Sequence, residues 1–209
     1  GEIIKTGVNF GTNLGCYGAI AATREKLDEL ADLADRVEQA IGRKLKYVSG
    51  GASSSFPRIL EGNMPPRINM LRLGEIIING RIGGEPVDFL HQDVFTLRAE
   101  VIERRVKPTH PAGQITVDAF GKTPVYIDKG FREKALLGVG KVDYGDPFDL
   151  IPTDPGIEVM GASSDHTILD VQDGAAPYAV GDTVDFLLRY GNLVYMSSSD
   201  NMQIQFFGA

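Results

Sequence analysis

The sequence has few of the features that mark membrane, secreted or disulfide-bonded proteins. Cys16 is the single cysteine among 209 residues, so no internal disulfide can form, which favours a reducing compartment. No apolar run approaches the roughly 18 residues of a membrane span. The chain also lacks an N-terminal segment with the charged and then apolar pattern of a secretory signal. The sequence therefore predicts a cytoplasmic protein without a membrane partner.

Basic residues are scarce relative to acidic ones. The chain carries 21 Lys and Arg against 28 Asp and Glu, a formal net charge of -7, and its cations form no concentrated stripe. This composition excludes nucleic acid as the expected main partner. His91 and His110 show no partner pattern typical of a metal site, so no metal is predicted. With 43% hydrophobic residues, the chain is expected to bury a sizeable core.

The first ninety or so residues have the pattern of alternating strands and helices. An apolar run over 3–10 predicts a strand, and runs over 45–49 and 68–72 predict two more. A short helical turn is expected over 54–60. Thr23 as N-cap and Gly42 as C-terminal stop bound a predicted helix, whose apolar face consists of Leu27, Leu30, Leu33, Ala34, Val37 and Ile41. These elements make three consecutive βα-type units.

The rest of the chain has alternating, β-branched runs separated by turn residues. This pattern predicts an antiparallel β domain, with strands over 95–105, 114–120, 136–141, 157–160, 166–171 and 183–188. A tight hinge or crossover is expected at Gly83-Gly84-Glu85-Pro86. The predicted domains are therefore an α/β domain over 1–85 and an all-β domain over 86–209.

Two segments of the first domain carry groups suited to a phosphate ester. Ser49-Gly50-Gly51-Ala52-Ser53-Ser54-Ser55 ends a predicted strand, and Arg72-Leu73-Gly74-Glu75 ends the next one. Backbone N–H groups beside glycines, together with serine hydroxyls, are donors that a phosphate needs. Together with Arg72, the two segments resemble the phosphate cradle and pyridine clamp of a pyridoxal phosphate (PLP) enzyme.

The candidate site residues of both domains also have purely structural alternatives. Arg72 can pair with a carboxylate on a neighbouring strand, and the serines at 53–55 can cap the next helix, which uses the same geometry as binding a phosphate. Asn13 can be a turn residue. Asp165 and His166 can be an ordinary pair at a strand edge. The residue types alone leave these alternatives open.

Four motifs in this order and spacing resemble the PLP-dependent amino-acid racemases of the alanine racemase fold, and most closely the ornithine racemase branch. The motifs are Gly11-Thr12-Asn13-Leu14-Gly15-Cys16-Tyr17-Gly18, the serine segment 49–55, Leu71-Arg72-Leu73-Gly74-Glu75 and Gly161-Ala162-Ser163-Ser164-Asp165-His166. The resemblance spans essentially the whole chain. It implies the last three βα units of a (β/α)8 barrel followed by a C-terminal antiparallel β domain.

The resemblance also implies roles around the cofactor. Asn13 is expected beside the PLP ring, Ser53 and Ser54 at the phosphate, and the backbone of Gly74 and Glu75 on the other side of that phosphate. Arg72 is expected to face the pyridine nitrogen. A guanidinium only donates hydrogen bonds, so the ring nitrogen would accept one without being protonated. The ring is then a weaker electron sink, which a racemase tolerates.

Racemisation needs acid/base groups on both faces of the substrate α-carbon. In the family, one is the Schiff-base lysine on the first strand of the barrel, which is expected upstream of Gly1, because a whole barrel takes about 250 residues. The other is a tyrosine in alanine racemases, and Lys141 aligns with it. Lys141, Tyr144 and His166 are therefore the candidates for the second acid/base. Three residues are expected to hold the substrate carboxylate or side-chain amine: Ser163, Ser164 and Asp165.

The predicted function is the C-terminal part of a PLP-dependent racemase of ornithine or a related basic amino acid. It is expected to work as a homodimer with composite active sites, completed by an N-terminal barrel segment that this chain lacks. Two alternatives remain, a non-catalytic PLP-binding protein and an inactive fragment without the Schiff-base lysine.

Overall fold

The computed structural model describes residues 9–15 and 18–208. The chain divides into two compact units, a first unit, Gly1–Gln92, and a second unit, Asp93–Ala209. Cys16 and most of the predicted strand over 3–10 lie outside the described residues. No helix within the described ranges is long and apolar enough to cross a membrane.

The helix predicted between Thr23 and Gly42 is confirmed as α1, Arg24–Ile41. The hydroxyl of Thr23 accepts a hydrogen bond from the N–H of Lys26, so it caps the first turn. Gly42 ends the helix in the left-handed conformation, with a φ of 69°. The buried face is narrower than predicted, because Leu33 is 44% exposed. The hydrophobic core beside this helix consists of Leu27, Leu30, Ala34, Leu45, Val48 and Ile68.

The strands of the first unit are short. β1, Asn9–Gly11, pairs in parallel with β2, Tyr47–Ser49. A 3₁₀ turn, Ser53–Ser55, and a one-turn helix α2, Pro57–Leu60, follow and confirm the predicted helical turn. The unit ends with α3, Glu75–Asn79, and a hairpin of β3, Arg81–Ile82, with β4, Glu85–Pro86.

The strand predicted over 68–72 is wrong in extent. The segment runs beside β2, with the N–H of Asn69 bonded to Val48 O and the N–H of Gly50 to Met70 O. Only one bridge, between Ser49 and Met70, has parallel strand geometry. Gly51 has a φ of 115°, which turns the chain away from an extended path and ends the ladder.

Six strands of the second unit form one antiparallel sheet within the described part of the chain, which confirms the predicted β domain. Their order is β7-β10-β5-β6-β9-β8. The strands are β5, Thr96–Pro108; β6, Phe131–Leu137; β7, Ile151–Pro152; β8, Glu158–Ala162; β9, Thr167–Asp170; and β10, Thr183–Leu187. A helix near the C-terminus, Tyr190–Met196, is α5.

Alternation along the strands builds the core of the second unit. On β5, Leu97, Ala99 and Val101 are buried while the residues between them are exposed, as expected for a sheet with one covered face. Neighbouring strands add Leu137, Leu169 and Phe186 to the same cluster. This sheet therefore has its own hydrophobic core.

Two predicted strands of the second unit are wrong. Residues 114–120 are not in a strand but in the connection between β5 and β6, where alternating apolar residues have no partner strand to pair with. The run over 136–141 is a strand only to Leu137, and Lys141 begins a one-turn helix, α4, Lys141–Tyr144. The chain leaves the sheet there because Gly140 lies against the backbone of Ser164, where a Cβ would be 2.2 Å from Ser164 O.

Candidate functional site

Ser53 joins the loop after β2 to the start of α3. Its side chain is buried, and its hydroxyl oxygen accepts hydrogen bonds from the N–H groups of Gly74 and Ile76, each at 3.3 Å. A hydroxyl that accepts in this way still has its own proton to donate. Ser55 holds the same loop from within, because its hydroxyl donates to Gly50 O at 2.6 Å. The loop thus presents one hydroxyl, which two backbone N–H groups hold in place.

Arg72 is fixed by two neutral oxygens. Its Nη1 donates to Ser49 Oγ at 2.5 Å and its Nη2 to Thr12 O at 2.9 Å. These bonds differ from the ion pair with a carboxylate that the sequence left open. The guanidinium borders a cleft of about 280 Å³, lined by Asn9, Phe10, Gly11, Ser49, Met70 and Arg72. A positive charge therefore faces a small cleft at the carboxyl ends of β1 and β2.

Two glycines allow the loop after β1 to approach these groups. A Cβ at Gly11 would lie 2.7 Å from the Cβ of Ser49, and a Cβ at Gly15 would lie 2.5 Å from Ser54 Oγ. Such contacts are too close for any other residue type. The loop also bonds to β2 through Thr12, whose N–H donates to Ser49 O at 3.1 Å.

Asn13 and Ser54 are exposed on these loops. Glu75 uses its side chain elsewhere, since its carboxylate accepts from the N–H groups of Gly83 and Gly84 at 3.0 and 2.9 Å and so fixes the turn between β3 and β4. The six predicted cofactor residues all lie in the first unit. They are Asn13, Ser53, Ser54, Arg72, Gly74 and Glu75.

The donors of the first unit fit a phosphate ester with an aromatic ring. The Ser53 hydroxyl, which still has its own proton to donate, suits a phosphate oxygen, and the guanidinium of Arg72 suits a phosphate or a ring nitrogen that accepts a hydrogen bond. Ser49, which orients Arg72, was not among the predicted site residues. Its position as the last residue of a predicted strand was the one available signal.

In the second unit, the start of α4 packs against the turn between β8 and β9. The N–H of Lys141 donates to Ser163 O and that of Val142 to Ser164 O, both at 3.0 Å. The contact between Gly140 and Ser164 holds the two segments together. The structure therefore brings Lys141 beside two of the predicted substrate-binding residues, Ser163 and Ser164.

The turn itself is an exposed, hydrogen-bonded unit. The hydroxyl of Ser163 accepts from the N–H of His166 at 3.1 Å, and the hydroxyl of Ser164 donates to the carboxylate of Asp165 at 2.7 Å. All four side chains are exposed. They are thus accessible on the surface of the second unit and available to a small polar ligand.

Tyr144 does not fit the predicted role of a second acid/base. It is fully buried, its hydroxyl is bonded to that of Thr167, and Thr167 in turn donates to Val139 O at 2.7 Å. Burial raises the pKa of Tyr144 to about 12. Because the hydroxyl is enclosed by the core of the second unit, Tyr144 stabilises the helix–sheet packing instead, and Lys141 and His166 remain the candidates.

Sequence reasoning missed two further residues around Lys141. Asn192 is buried, and its side-chain amide donates to Tyr144 O at 3.0 Å and to Asp146 O at 3.3 Å, which fixes the end of α4. Phe120 lies with its ring centroid 3.7 Å from the Nζ of Lys141. Both contacts join residues far apart in the chain, so no local pattern marked them.

The relatives of this chain in sequence are amino-acid racemases. The chain is 42% identical to the ornithine racemase of Acetoanaerobium sticklandii over 195 residues, which cover 92% of this chain and 55% of that protein. It is 40% identical to the lysine racemase of Thermotoga maritima over 194 residues, which cover 92% of this chain and 54% of that protein. The chain therefore spans about half the length of the curated relatives it matches. No protein-family model matches it.

A solved structure has the same fold. An alanine racemase from Bartonella henselae, with covalently bound pyridoxal phosphate, matches with a TM-score of 0.53 and 17% sequence identity, over 94% of this chain and 54% of that one. The fold predicted from the four motifs is thereby confirmed as that of alanine racemase. The resemblance to the ornithine racemase branch is confirmed by the sequence relatives.

Proposed function

We propose that this chain, a relative of ornithine and lysine racemases with the alanine racemase fold, contributes about half of a PLP-dependent amino-acid racemase. The observation that carries the proposal is the Ser53 hydroxyl, held in place by the N–H groups of Gly74 and Ile76, together with the guanidinium of Arg72 on the neighbouring segment. It combines donors for a phosphate with a cation for a ring nitrogen. In this proposal the first unit belongs to a (β/α)8 barrel and the second is the C-terminal domain.

The residues of the first unit hold the cofactor. Ser53 and Ser54 would donate to the phosphate together with the backbone of Gly74 and Glu75, Asn13 would lie beside the ring, and Arg72 would donate to the ring nitrogen. When bound, PLP withdraws electrons from the substrate α-carbon and makes its proton removable. Because Arg72 leaves the ring nitrogen unprotonated, that withdrawal is weak, which suits the brief loss of one proton.

The second unit supplies one acid/base and the substrate contacts. Lys141 Nζ takes a proton from, or returns one to, one face of the α-carbon, with His166 as the other candidate. The opposite face is served by a Schiff-base lysine on a barrel segment outside this chain. Ser163, Ser164 and Asp165 bind the substrate carboxylate or side-chain amine. The proposed substrate is ornithine or a related basic amino acid, on the basis of the ornithine and lysine racemases that this chain resembles.

The complete enzyme is a homodimer with composite sites in this proposal. The length of the relatives supports only the further segment, since each is close to twice as long as the matched part. A segment carrying the reactive lysine is therefore expected to join this chain before the site can work.

The test is a visible absorbance spectrum after adding PLP to this chain, alone and with the lysine-bearing segment. A new band that borohydride abolishes should appear only when the segment is present. Chiral chromatography should then show conversion of L-ornithine or L-lysine to the D form, and slower conversion of L-alanine. A borohydride-reducible adduct on this chain alone would contradict the proposed location of the lysine. A bound cofactor without racemisation of any amino acid would contradict the activity.

A matched pair of variants tests the site itself. Ser53→Ala should weaken PLP binding about ten- to a hundredfold, since one hydrogen bond to a charged group contributes about 1.5–3 kcal/mol. Ser198→Ala, on the exposed surface of the second unit, should leave binding unchanged. Equal PLP affinity in both variants would remove Ser53 from the phosphate site.

A further inference from the structure

The connection between β5 and β6 is long, and its two ends are hydrogen-bonded to each other. Thr109 is buried, its N–H donates to Gly130 O at 2.9 Å, and its hydroxyl oxygen accepts from the N–H of Lys129 at 2.7 Å. These bonds clamp the two ends of the segment 110–129 together. Connections of this length without secondary structure often carry a function. We call this segment the clamped loop.

The tip of the clamped loop is a defined turn. One carboxylate oxygen of Asp118 accepts from the N–H groups of Phe120 and Lys122, both at 2.9 Å. The N–H of Asp118 donates to Lys122 O at 2.8 Å, and Gly121 adopts a φ of 79°. The bond from Lys122 is the main reason that the pKa of Asp118 lies below its usual value. The turn therefore fixes the backbone from which Phe120 projects.

The ring of Phe120 contacts the side chain of Lys141. The Nζ of Lys141 is 3.7 Å from the centre of the Phe120 ring, well within the distance at which an ammonium is attracted to an aromatic face. The carboxylate of Asp118 also interacts favourably with the charge of Lys141. The backbone of Lys141 is itself held by Ser163. Both partners are thus anchored by their own backbones before the side chains touch.

We propose that Phe120 is a positioning residue for Lys141, and that the clamped loop holds the lysine ammonium in place for a substrate at the turn between β8 and β9, residues 163–166. This inference deepens the proposed function, because it rests on Lys141 as an acid/base. A lysine side chain has four rotatable bonds and loses much conformational entropy when it is fixed. Contact with Phe120 restricts those rotations before the substrate binds, so less conformational entropy is lost on binding.

The contact can be measured without racemase activity. Lysines of the complete protein are reductively methylated with ¹³C-formaldehyde, and the Lys141 signal is assigned by its loss in Lys141→Gln. Its methyl resonance should be shifted upfield by the ring of Phe120 and should return to the ordinary lysine position in Phe120→Leu. Phe131→Leu, which alters a 75% exposed ring at the start of β6, is the matched control and should leave the signal unchanged. An unshifted Lys141 signal in the parent protein would overturn the proposal.

Kinetics on the complete enzyme test the consequence. Phe120→Leu should lower kcat/KM about two- to fivefold, the effect of losing an exposed cation–π contact, while Phe120→Tyr and Phe120→Trp restore it. Phe131→Leu should match the parent. If Phe120→Leu abolishes the shift but leaves kcat/KM intact, while Lys141→Gln is impaired, the positioning role is overturned.

One result separates this inference from the proposed function. If Lys141→Gln has parent turnover, Lys141 is not the acid/base, and the positioning role is overturned with it even where the upfield shift is observed. If Lys141→Gln is inactive and Phe120→Leu is impaired without rescue by tyrosine or tryptophan, the proposed function stands and the cation–π explanation is overturned.

Discussion

The two units of this protein are stabilised in different ways. Among the residues that the structure describes, the first has strands of two or three residues, and its loops are joined largely through side chains such as Ser53, Ser55 and Arg72. The second has a six-stranded antiparallel sheet with a core of its own. The proposed cofactor residues all lie in the unit with less regular structure. Loops fixed by hydrogen bonds can aim donors at a ligand, which a continuous ladder cannot do, because its N–H groups are already used.

The largest effect should come from the core of the second unit. Phe186 is fully buried, so Phe186→Ala should lower the free energy of unfolding by about 3–5 kcal/mol. Hydrogen exchange followed by mass spectrometry should show lost protection in residues 93–209 and little change in 9–92. Phe206→Ala, at an 87% exposed side chain, should change stability by about 0.5 kcal/mol or less. Equal loss in both units would break the comparison.

A smaller effect should come from the hydrogen-bonded loops of the first unit. Ser53→Ala leaves the N–H groups of Gly74 and Ile76 without their acceptor, which should cost about 1–3 kcal/mol. Exchange should accelerate around 50–56 and 74–79 and remain unchanged in the second unit. Ser198→Ala serves as the control here as well. Unchanged exchange at Gly74 and Ile76 would show that these loops do not depend on Ser53.

The smallest effect is a pH dependence expected in the second unit. The pKa of Tyr144 is raised by burial to about 12, above its ordinary 10, so the unfolded state loses this proton first. Its contribution is complete below pH 10 and is lost as the pH rises to about 12, and the part lost by pH 11.5 amounts to about 2 kcal/mol. Urea unfolding at pH 8, 10 and 11.5 should show a steeper loss in the parent than in Tyr144→Phe.

A second tyrosine, Tyr178, is expected to contribute to the same pH dependence. Burial and its bond to Asp154 also raise the pKa of Tyr178 to about 12, so some alkaline sensitivity should remain in Tyr144→Phe and fall further in the double variant. Identical slopes in the parent and Tyr144→Phe would show that the Tyr144 hydroxyl is not enclosed.

The sequence predicted correctly those elements whose stabilising contacts lie within a short stretch of chain. The helix Arg24–Ile41 follows from one apolar face and from caps at Thr23 and Gly42. The segments 68–72 and 114–120 were predicted as strands from composition, but strands also need partners distant in sequence. The first has one bridge to Ser49, and the second has none among the described residues.

The same distinction holds at the candidate site. The serines, the glycines and Arg72 could be recognised from the sequence, because the residues of each loop form a short, continuous motif. Burial of Tyr144 could not, since it depends on Thr167 and Asn192, which are 23 and 48 residues away. Phe120 was assigned to a strand, although its contact is with Lys141.

The two hydrogen bonds of Arg72 have a consequence for how a ligand would be received. A free arginine must give up the freedom of four side-chain rotations when it grips a partner, and that loss weakens binding. Arg72 is already tied to Thr12 and Ser49 within the folded chain, so the ordering is completed during folding. Substituting Ser49 by alanine would remove one of these two bonds and loosen the guanidinium, which Thr12 O would still hold. The weaker binding would then appear in calorimetry as a less favourable entropy.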